Sequence, residues 1–518
     1  MRHRIGRGMA FLALLVSLVW IGASASVAAP LRYLFIGHPR SDLPGEIVQR
    51  EVERIDYSAF DLVLLGGDYT LNGTGSRQTV AYLDAIFDFA SPSTLAALGN
   101  HDTANKSYFT DATGRPRFYA RTVNGITFVI LDTTDDSQNI LGAELQMLTE
   151  TVAALPADSQ LVIVHHHILW LTDNAINCEH YGDNTFIAAS SSSLSGRNFY
   201  SAVYPLLVQA RAKGCGVLCL AGDRTGSSTA EYYIDHTTAE GVRFIAAGLQ
   251  DTLTPSLRTV VVLEHDPEAS TLACRFTHLT DLPSIPDEPL VINELHYNPS
   301  AAQGDDSAFI ELFNCGAEPF DLSGAKFSSG VGFTFPAGTT VAPGEFLLVA
   351  ANPARFAGLG ARVFDWQGSA VPTAGSPIWL RDSRGLEIDY VAYASSTPWP
   401  APPNNQGSTL MLIDPRADNN RAAEWATSDQ LGGTPGGANI SPPWLGSMAL
   451  GTESASLVWH GVVPGGWYQL DSTPDLLPAD WQPAGPAVQA TSTSITLIDP
   501  TTLNASRRFF RLSRLFPQ

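Results

Sequence analysis

The chain has 518 residues, of which 44% are hydrophobic and 16% charged, so it is long enough for roughly two to four globular domains. Its formal net charge of -21 at pH 7 argues against electrostatic capture of a nucleic acid. The same charge does not exclude small phosphate esters, because a metal ion can hold such a ligand locally.

The N-terminus has the pattern of a secretory signal peptide over residues 1–25. A basic segment precedes the apolar stretch Phe11–Ile21, which is short for a membrane span, and Ala23-Ser24-Ala25 supplies the small residues of a cleavage site. An uncleaved membrane anchor is the alternative. We therefore predict a secreted, periplasmic or cell-surface protein. No later stretch is long and apolar enough for a membrane-spanning helix.

Apolar strand-like segments then alternate with helix-like segments up to about residue 281. The predicted strands are Leu31–Ile36, Leu62–Leu65, Leu95–Leu98, Ile126–Leu131, Leu161–Val164 and Val217–Ala221. The predicted helices are Gly45–Ile55, Gln78–Phe89, Leu141–Leu155 and Phe199–Lys213. Asn124-Gly125 is a strong hairpin signal, and antiparallel strands are predicted from Tyr232 to His278. This alternation predicts a layered α/β domain over residues 31–281.

Polar residues that can bind metal directly follow four of these strands. They are Asp68 after Gly66-Gly67, Asn100 and His101 within Gly99-Asn100-His101-Asp102, the triplet His165-His166-His167, and Asp223 after Gly222. Sheets of α/β proteins bind ligands beyond the carboxyl ends of their strands. We therefore predict that these residues form one site.

In this order the motifs resemble those of the calcineurin-like metallophosphoesterases, over about Leu31 to Thr280. That family has Asp-x-His, Gly-Asp, Gly-Asn-His-Asp/Glu, a strand-end His and Gly-His-x-His, which hold two metal ions bridged by an Asp. The resemblance implies that Asp68 is the bridging ligand and Asn100 a ligand of the second metal. It also implies that His101 protonates the leaving oxygen or stabilises its charge. His166 is the implied strand-end ligand, with its two neighbours in the triplet as alternatives.

Two motifs depart from the family pattern. Ile36 stands where the first motif has an Asp, although His38 is present, and Asp223 and Thr225 replace the two histidines of the last motif. The ligands of the first metal are therefore depleted. Arg224 is a candidate for the charge that a missing metal would otherwise supply.

These substitutions predict one well-held divalent ion beside a weak or empty position, so one or two ions in all. The oxygen-rich ligand set favours Mn or Mg over Zn, with Fe or Zn as alternatives. The predicted metal ligands are His38, Asp68, Asn100, His166 and Asp223, and the predicted catalytic residues are His101 and Asn100.

Residues 282–290 contain three prolines and are predicted to be a linker. Short strands broken by Gly and Pro follow, as is typical of β-sandwiches. Val291–Leu295, Phe309–Asn314 and Gly433–Asn439 resemble segments of the lamin-tail domain, which implies an immunoglobulin-like sandwich over 291–440. A small β module is predicted over 444–518.

Alternation along the predicted strands places Ile310, Leu312 and the corresponding Leu347 and Val349 in the sandwich core. Two acids on the same strands are predicted to be solvated or to lie at the edge of the sheet; they are Glu294 and Glu311.

The predicted fold class is thus an α/β metallophosphoesterase-like sandwich, followed by an all-β immunoglobulin-like sandwich and a small C-terminal β module. The predicted function is metal-dependent hydrolysis of a phosphate mono- or diester by an exported protein, whose β modules bind a cell surface or matrix. The alternative is a surface or matrix adhesion protein whose phosphoesterase-like domain has lost turnover.

Overall fold

The computed structural model describes most of the chain from residue 29 to residue 515. The described ranges are 29–43, 46–71, 75–170, 198–224, 233–250, 253–366, 371–400, 407–428, 430–439, 443–451, 454–462, 467–476, 480–492, 494–500 and 508–515. The predicted signal peptide and Thr225 lie outside these ranges. No helix among the described residues has the length and apolar character needed to cross a membrane.

Two β-sheets form the centre of the N-terminal domain. Their strands are β1 (Leu31–Ile36), β2 (Leu62–Leu65), β3 (Thr94–Ala96), β4 (Tyr119–Val123), β5 (Ile126–Ile130), β6 (Gln160–His165), β7 (Gly216–Ala221), β8 (Ile234–Thr237), β9 (Val242–Ala246), β10 (Thr259–Asp266) and β11 (Thr271–His278). The first sheet has the order β11-β10-β1-β2-β3, with β1 to β3 parallel. The second has the order β4-β5-β6-β7-β9-β8, with β5, β6, β7 and β9 parallel.

The two sheets pack face to face and helices cover their outer faces. Phe35 and Leu64 of the first sheet share one apolar cluster with Phe128 and Val164 of the second. The helices are α1 (Arg50–Glu53), α2 (Arg77–Phe87) and α3 (Lys106–Thr113) on the first sheet, and α4 (Gly142–Ala154) and α5 (Tyr204–Ala212) on the second. The N-terminal domain is therefore a helix–sheet–sheet–helix sandwich, a layered α/β architecture as predicted.

The predicted helix Gly45–Ile55 is wrong in its first half. Val48 forms an isolated bridge with Arg40, and Ser41 N donates to Ile47 O, so this part of the chain is extended. Only Arg50–Glu53 is helical. The apolar residues at helical spacing are still buried, because an extended segment leading into a short helix packs them against the same sheet.

Close contact between backbones joins the two sheets at the carboxyl ends of their strands. A Cβ on Gly222, after β7, would lie 2.1 Å from Gly66 O, after β2, and a Cβ on Gly37 would lie 2.4 Å from Gly222 Cα. Only glycine permits such an approach. The residues that follow these glycines therefore come together from both sheets, rather than from one open sheet.

The second domain is built mainly of β-strands, with short 3-10 helices at Asp305–Ser307, Pro353–Phe356 and Ala422–Glu424. The strands are β12 (Leu290–His296), β13 (Phe309–Asn314), β14 (Phe320–Asp321), β15 (Lys326–Phe327), β16 (Phe333–Thr334), β17 (Thr340–Val341), β18 (Phe346–Ala350), β19 (Arg362–Asp365), β20 (Gly375–Arg381), β21 (Glu387–Ala394), β22 (Leu410–Leu412) and β23 (Trp425–Thr427). A sheet β19-β18-β13-β12-β22-β23 and a sheet β16-β15-β20-β21 share one apolar core, and β14 pairs with β17. The predicted core positions Ile310, Leu312, Leu347 and Val349 are confirmed.

The prediction that Glu294 and Glu311 are solvated or edge acids is wrong, because both are fully buried. Glu294 accepts a hydrogen bond from Thr434 N at 3.0 Å, and Glu311 accepts one from Gly436 N at 2.6 Å. Asn293 Nδ2 also donates to Glu311 at 2.8 Å. The two acids therefore hold the Gly- and Pro-rich segment 433–437 against the outer face of the six-stranded sheet.

Buried ion pairs join the first two domains. Glu387 of β21 accepts hydrogen bonds from Arg50 Nε at 2.8 Å and Nη2 at 2.7 Å. Glu53 of α1 accepts from Arg381 Nη1 at 3.2 Å and from Tyr82 at 2.7 Å. The predicted linker packs against the same helix region, since Asp56 N donates to Pro283 O at 2.8 Å.

The C-terminal module contains two small sheets around one apolar cluster. Its strands are β24 (Trp444–Leu450), β25 (Ala455–His460), β26 (Trp467–Thr473), β27 (Gln482–Pro483), β28 (Val488–Gln489), β29 (Ser494–Asp499) and β30 (Phe509–Leu515). Trp444 and Trp467 are about half exposed, at 47% each, whereas Tyr468 is buried in the cluster.

Burial of Glu294 predicts a pH-dependent stability for the second domain. Burial raises its pKa to about 7 from an ordinary value of 4.5. Between these values the folded chain holds the proton and the unfolded chain has lost it, so the free energy of unfolding falls as pH rises through this window. We expect Glu294→Gln to remove about 3 kcal/mol of this pH dependence, measured as urea midpoints from pH 5 to pH 8.

The exposed Glu288→Gln substitution is the matched control and should leave the pH profile of the wild type unchanged. Identical profiles for the wild type and Glu294→Gln would contradict the assignment of a shifted pKa to Glu294.

Candidate metal centre

Asp68 lies at the centre of the site, directly after β2, and has a left-handed backbone with φ of 60°. Asp102 holds it there by accepting hydrogen bonds from Asp68 N at 2.7 Å, Gly99 N at 2.9 Å and Tyr69 N at 3.0 Å. Position 99 must be glycine, because a Cβ there would lie 2.1 Å from Asp68 Oδ1. These contacts offset the strain of the left-handed conformation and fix the direction of the Asp68 carboxylate.

Oxygen atoms of three side chains surround the Nε2 atom of His166. His166 Nε2 lies 3.4 Å from Asp68 Oδ1, 3.0 Å from Asn100 Oδ1 and 3.7 Å from Asp223 Oδ1. These residues follow β6, β3 and β7, so the convergence depends on the meeting of the two sheets. We call Asp68, Asn100, His166 and Asp223 the strand-end cluster.

The tautomer of His166 is determined by its other ring nitrogen. Nδ1 lies 2.8 Å from Gly66 O, and a carbonyl oxygen can only accept, so Nδ1 carries a proton. In the neutral ring the lone pair of Nε2 is then directed at the oxygens of the strand-end cluster. Metal-binding histidines are held in this way, by donation from the second ring nitrogen to a backbone carbonyl.

The other oxygen of Asp68 faces a different pair of residues. His38 Nε2 lies 3.5 Å from Asp68 Oδ2 and Arg40 Nε lies 3.9 Å from it. Arg40 Nε also donates a hydrogen bond to His38 Nε2 at 3.1 Å. One carboxylate thus contacts the strand-end cluster through Oδ1 and a histidine–arginine pair through Oδ2.

His101 lies at the rim of the site and is partly exposed. Its backbone N donates to Asp68 Oδ1 at 3.0 Å, and its Nδ1 lies 2.7 Å from Leu71 O. Since that carbonyl can only accept, Nδ1 is protonated and Nε2 is the ring atom available for a ligand. Arg40 Nη1 also lies 3.2 Å from this Nδ1, but a guanidinium can only donate, so with Nδ1 protonated this is a close approach and not a hydrogen bond.

Burial and neighbouring charges shift the pKa values of the buried groups in the site. Burial alone would raise the pKa of Asp68, but the neighbouring His166 and His38 hold it below its ordinary value. Burial would lower the pKa of His166, and the carboxylates of Asp68 and Asp223 raise it instead. Burial raises the pKa of Asp223 to about 6. Burial and the negative charge of Asp68 raise the pKa of Asp102 to about 7.

The two neighbours of His166 in the triplet differ in position. His165 points away from the cluster, donates from Nδ1 to His167 O at 2.7 Å and packs against Trp170 with ring centroids 5.3 Å apart. Burial lowers the pKa of His165 to about 4. His167 lies beside the cluster: ligand atoms of His166, His167 and Asp223 are all within 4.8 Å of one another. The alternation of side chains along a strand explains why His165 and His166 face opposite ways.

The structure thus brings together every residue predicted for the site, namely His38, Asp68, Asn100, His101, His166 and Asp223. Their roles as ligands and acid stay predictions. The sequence missed Arg40, whose guanidinium reaches Asp68; its place two residues after His38 was the available signal. Arg224, predicted as a replacement charge, is buried beside Asp223.

The donor set fits a divalent metal ion. It comprises two carboxylates, one amide oxygen and one imidazole nitrogen, and the three oxygens lie 3.0 to 3.7 Å from His166 Nε2. Without a metal, a proton on Nε2 satisfies these oxygens; a divalent ion that takes the place of this proton would bind the same four donors. Mn and Mg suit the oxygen atoms, and Mn and Fe also accept imidazole.

Comparison with known proteins gives one family match, the Lamin Tail Domain, at residues 283–395. The predicted resemblance to that domain is confirmed, and the match begins within the predicted linker. No curated protein matches the chain. Among solved structures, a crystal structure of a dimetal phosphatase from Danio rerio matches over 50% of this chain and 98% of that chain, with 12% sequence identity and a TM-score of 0.31.

The contacts of Asp102 predict a structural role that does not depend on metal. Asp102→Ala leaves three buried N–H groups without an acceptor, so the free energy of unfolding should fall by about 3 kcal/mol or more. Urea unfolding in the presence of a chelator measures this effect. Asp111→Ala, at an exposed ion pair with Arg77, is the control. Unchanged metal-free stability in Asp102→Ala would contradict this role.

Proposed function

We propose that the chain is an exported, metal-dependent phosphoesterase that hydrolyses a phosphate mono- or diester at the strand-end cluster. The observation that carries the proposal is the direction of His166 Nε2 towards oxygen atoms of Asp68, Asn100 and Asp223. Its proton-bearing Nδ1 is fixed on Gly66 O, so Nε2 is the nitrogen presented to the three oxygens, and a divalent ion that replaces the Nε2 proton would have four donors already in position.

Asp68, Asn100, His166 and Asp223 would hold a divalent ion, and such an ion would supply Lewis-acid polarisation of a phosphoryl oxygen and activation of a water molecule. The residues of the chain orient the reaction around it. Asp68 is fixed by Asp102, and the hydrogen bond from His101 N keeps Asp68 Oδ1 directed at the cluster. His101, at the rim, acts in its doubly protonated form: Nδ1–H stays on Leu71 O, and Nε2–H gives its proton to the leaving oxygen of the ester, which leaves the neutral ring.

The substrate class follows from charge and accessibility. A chain with a net charge of -21 disfavours polyanionic nucleic acids at long range. Within the site, Arg40 and the proposed metal ion would supply positive charge, and this charge would hold a small phosphate ester locally. The basic and apolar pattern at the N-terminus supports export, and the domain that matches the lamin tail family, with the C-terminal module, is proposed to bind a cell surface or matrix.

We expect the purified chain to retain about one Mn per molecule after dialysis and to hydrolyse bis(p-nitrophenyl) phosphate. His166→Ala removes the imidazole nitrogen that lies 3.4 Å from Asp68 Oδ1, so metal content should become negligible and turnover should fall at least about 100-fold. Metal content by mass spectrometry and initial rates measure both effects. His236→Ala, on β8, is the control and should retain both.

Turnover that survives in His166→Ala would contradict the proposal. A wild-type chain that neither binds metal nor hydrolyses the ester would favour the non-catalytic adhesion protein.

Substitution of His101 separates proton donation from metal binding. His101→Asn should lower kcat by about 10²- to 10⁴-fold, because the leaving oxygen loses its acid, while metal content stays at the wild-type level. Leaving groups that need no protonation, such as p-nitrophenolate, should show a smaller loss than an alkyl ester. Equal losses for both leaving groups would show that His101 is not the acid.

A further inference from the structure

The two oxygens of Asp68 have unequal surroundings. Oδ1 lies 3.4 Å from His166 Nε2, which in turn lies near oxygens of Asn100 and Asp223. Among the described residues, Oδ2 faces only His38 as a potential metal ligand, together with the cation of Arg40. The second half of the site therefore already contains a positive charge, and it offers too few donors for a divalent metal ion.

The hydrogen bond between Arg40 and His38 also occupies the ring nitrogen of His38 that faces Asp68 Oδ2. Arg40 Nε donates to His38 Nε2 at 3.1 Å, so the Nε2 lone pair points at the guanidinium. A guanidinium N–H can only donate, so His38 Nε2 is the acceptor in this contact. A metal at Asp68 Oδ2 would have to displace this hydrogen bond and lie against a fixed positive charge.

The backbone around Arg40 holds the guanidinium in place. Arg40 N donates to Asp68 O at 3.2 Å, and Gln49 Nε2 donates to Arg40 O at 3.0 Å. The residue is 7% exposed, and its Nη1 reaches His101 at the rim of the site. Arg40 thus spans the distance from the central carboxylate to the residue proposed as the acid.

We propose that Arg40 is the second cation of the site, so that the chain uses one metal ion and one guanidinium to bind the phosphoryl group. This proposal rests on the proposed phosphoesterase function. Guanidinium groups bind phosphate through two parallel N–H···O hydrogen bonds and stay charged at all accessible pH values. Arg40 contacts the phosphoryl oxygens, and His38 is a positioning residue that accepts from Nε and sets the plane of the guanidinium.

The test compares Arg40→Gln and Arg40→Ala with the wild type, all loaded with Mn. Inorganic phosphate is titrated by calorimetry, and Mn per chain is measured on the same samples. We expect Mn to stay near one per chain in each protein, whereas the phosphate Kd rises at least about 30-fold in both variants.

Added guanidinium chloride in the millimolar range should restore part of the phosphate affinity of Arg40→Ala only. Arg77→Ala, an exposed arginine in a surface ion pair, controls for net charge.

The outcomes separate the two proposals. Two Mn per wild-type chain, or unchanged phosphate affinity in both Arg40 variants of a Mn-binding wild type, would overturn the role of Arg40 and leave the phosphoesterase proposal intact. A wild type that binds no Mn would overturn the proposed function itself. Arg40→Gln keeps a donor for His38, so a loss of affinity shared by Arg40→Gln and Arg40→Ala, with unchanged melting temperature, reports the charge rather than the fold.

Discussion

The site depends on the orientation of one buried carboxylate. Asp68 has a left-handed backbone conformation that Asp102 stabilises through three backbone N–H groups, including that of Asp68 itself. Its two oxygens point into different halves of the site because Gly99 leaves room beside Oδ1. Close contact between glycines at the ends of β2 and β7 then delivers ligand residues from the second sheet.

Much of the site was predictable from sequence because each residue directly follows a short apolar strand. Such strand ends are local patterns, and Asp68, Asn100 and Asp223 were found in this way. The meeting of two separate sheets was not predictable, since it results from packing between apolar faces far apart in the chain. Arg40 was missed for the same reason: its position next to His38 was visible, but its direction towards Asp68 depends on the bridge between Arg40 and Val48.

In the second domain, the sequence pattern predicted the apolar core but not the burial of two acidic residues. Alternating apolar residues identified its core, but Glu294 and Glu311 on the opposite face are buried by a segment more than a hundred residues later in the chain. The carboxylate oxygens of both residues accept hydrogen bonds from backbone N–H groups of that segment. A local sequence pattern cannot predict such long-range pairing. Ion pairs of Glu387 and Glu53 likewise join this domain to α1, so the sheet of the second domain packs directly on the domain that holds the site.

We propose that Asp68 lies between one metal ion and one arginine. Anomalous diffraction at the manganese edge, from crystals grown with Mn, would locate each bound ion. We expect one anomalous peak, bounded by Asp68 Oδ1, Asn100, His166 and Asp223, with Arg40 still hydrogen-bonded to His38 on the other side of Asp68. Two peaks flanking Asp68, or a single peak bound by His38 with Arg40 displaced, would contradict this arrangement.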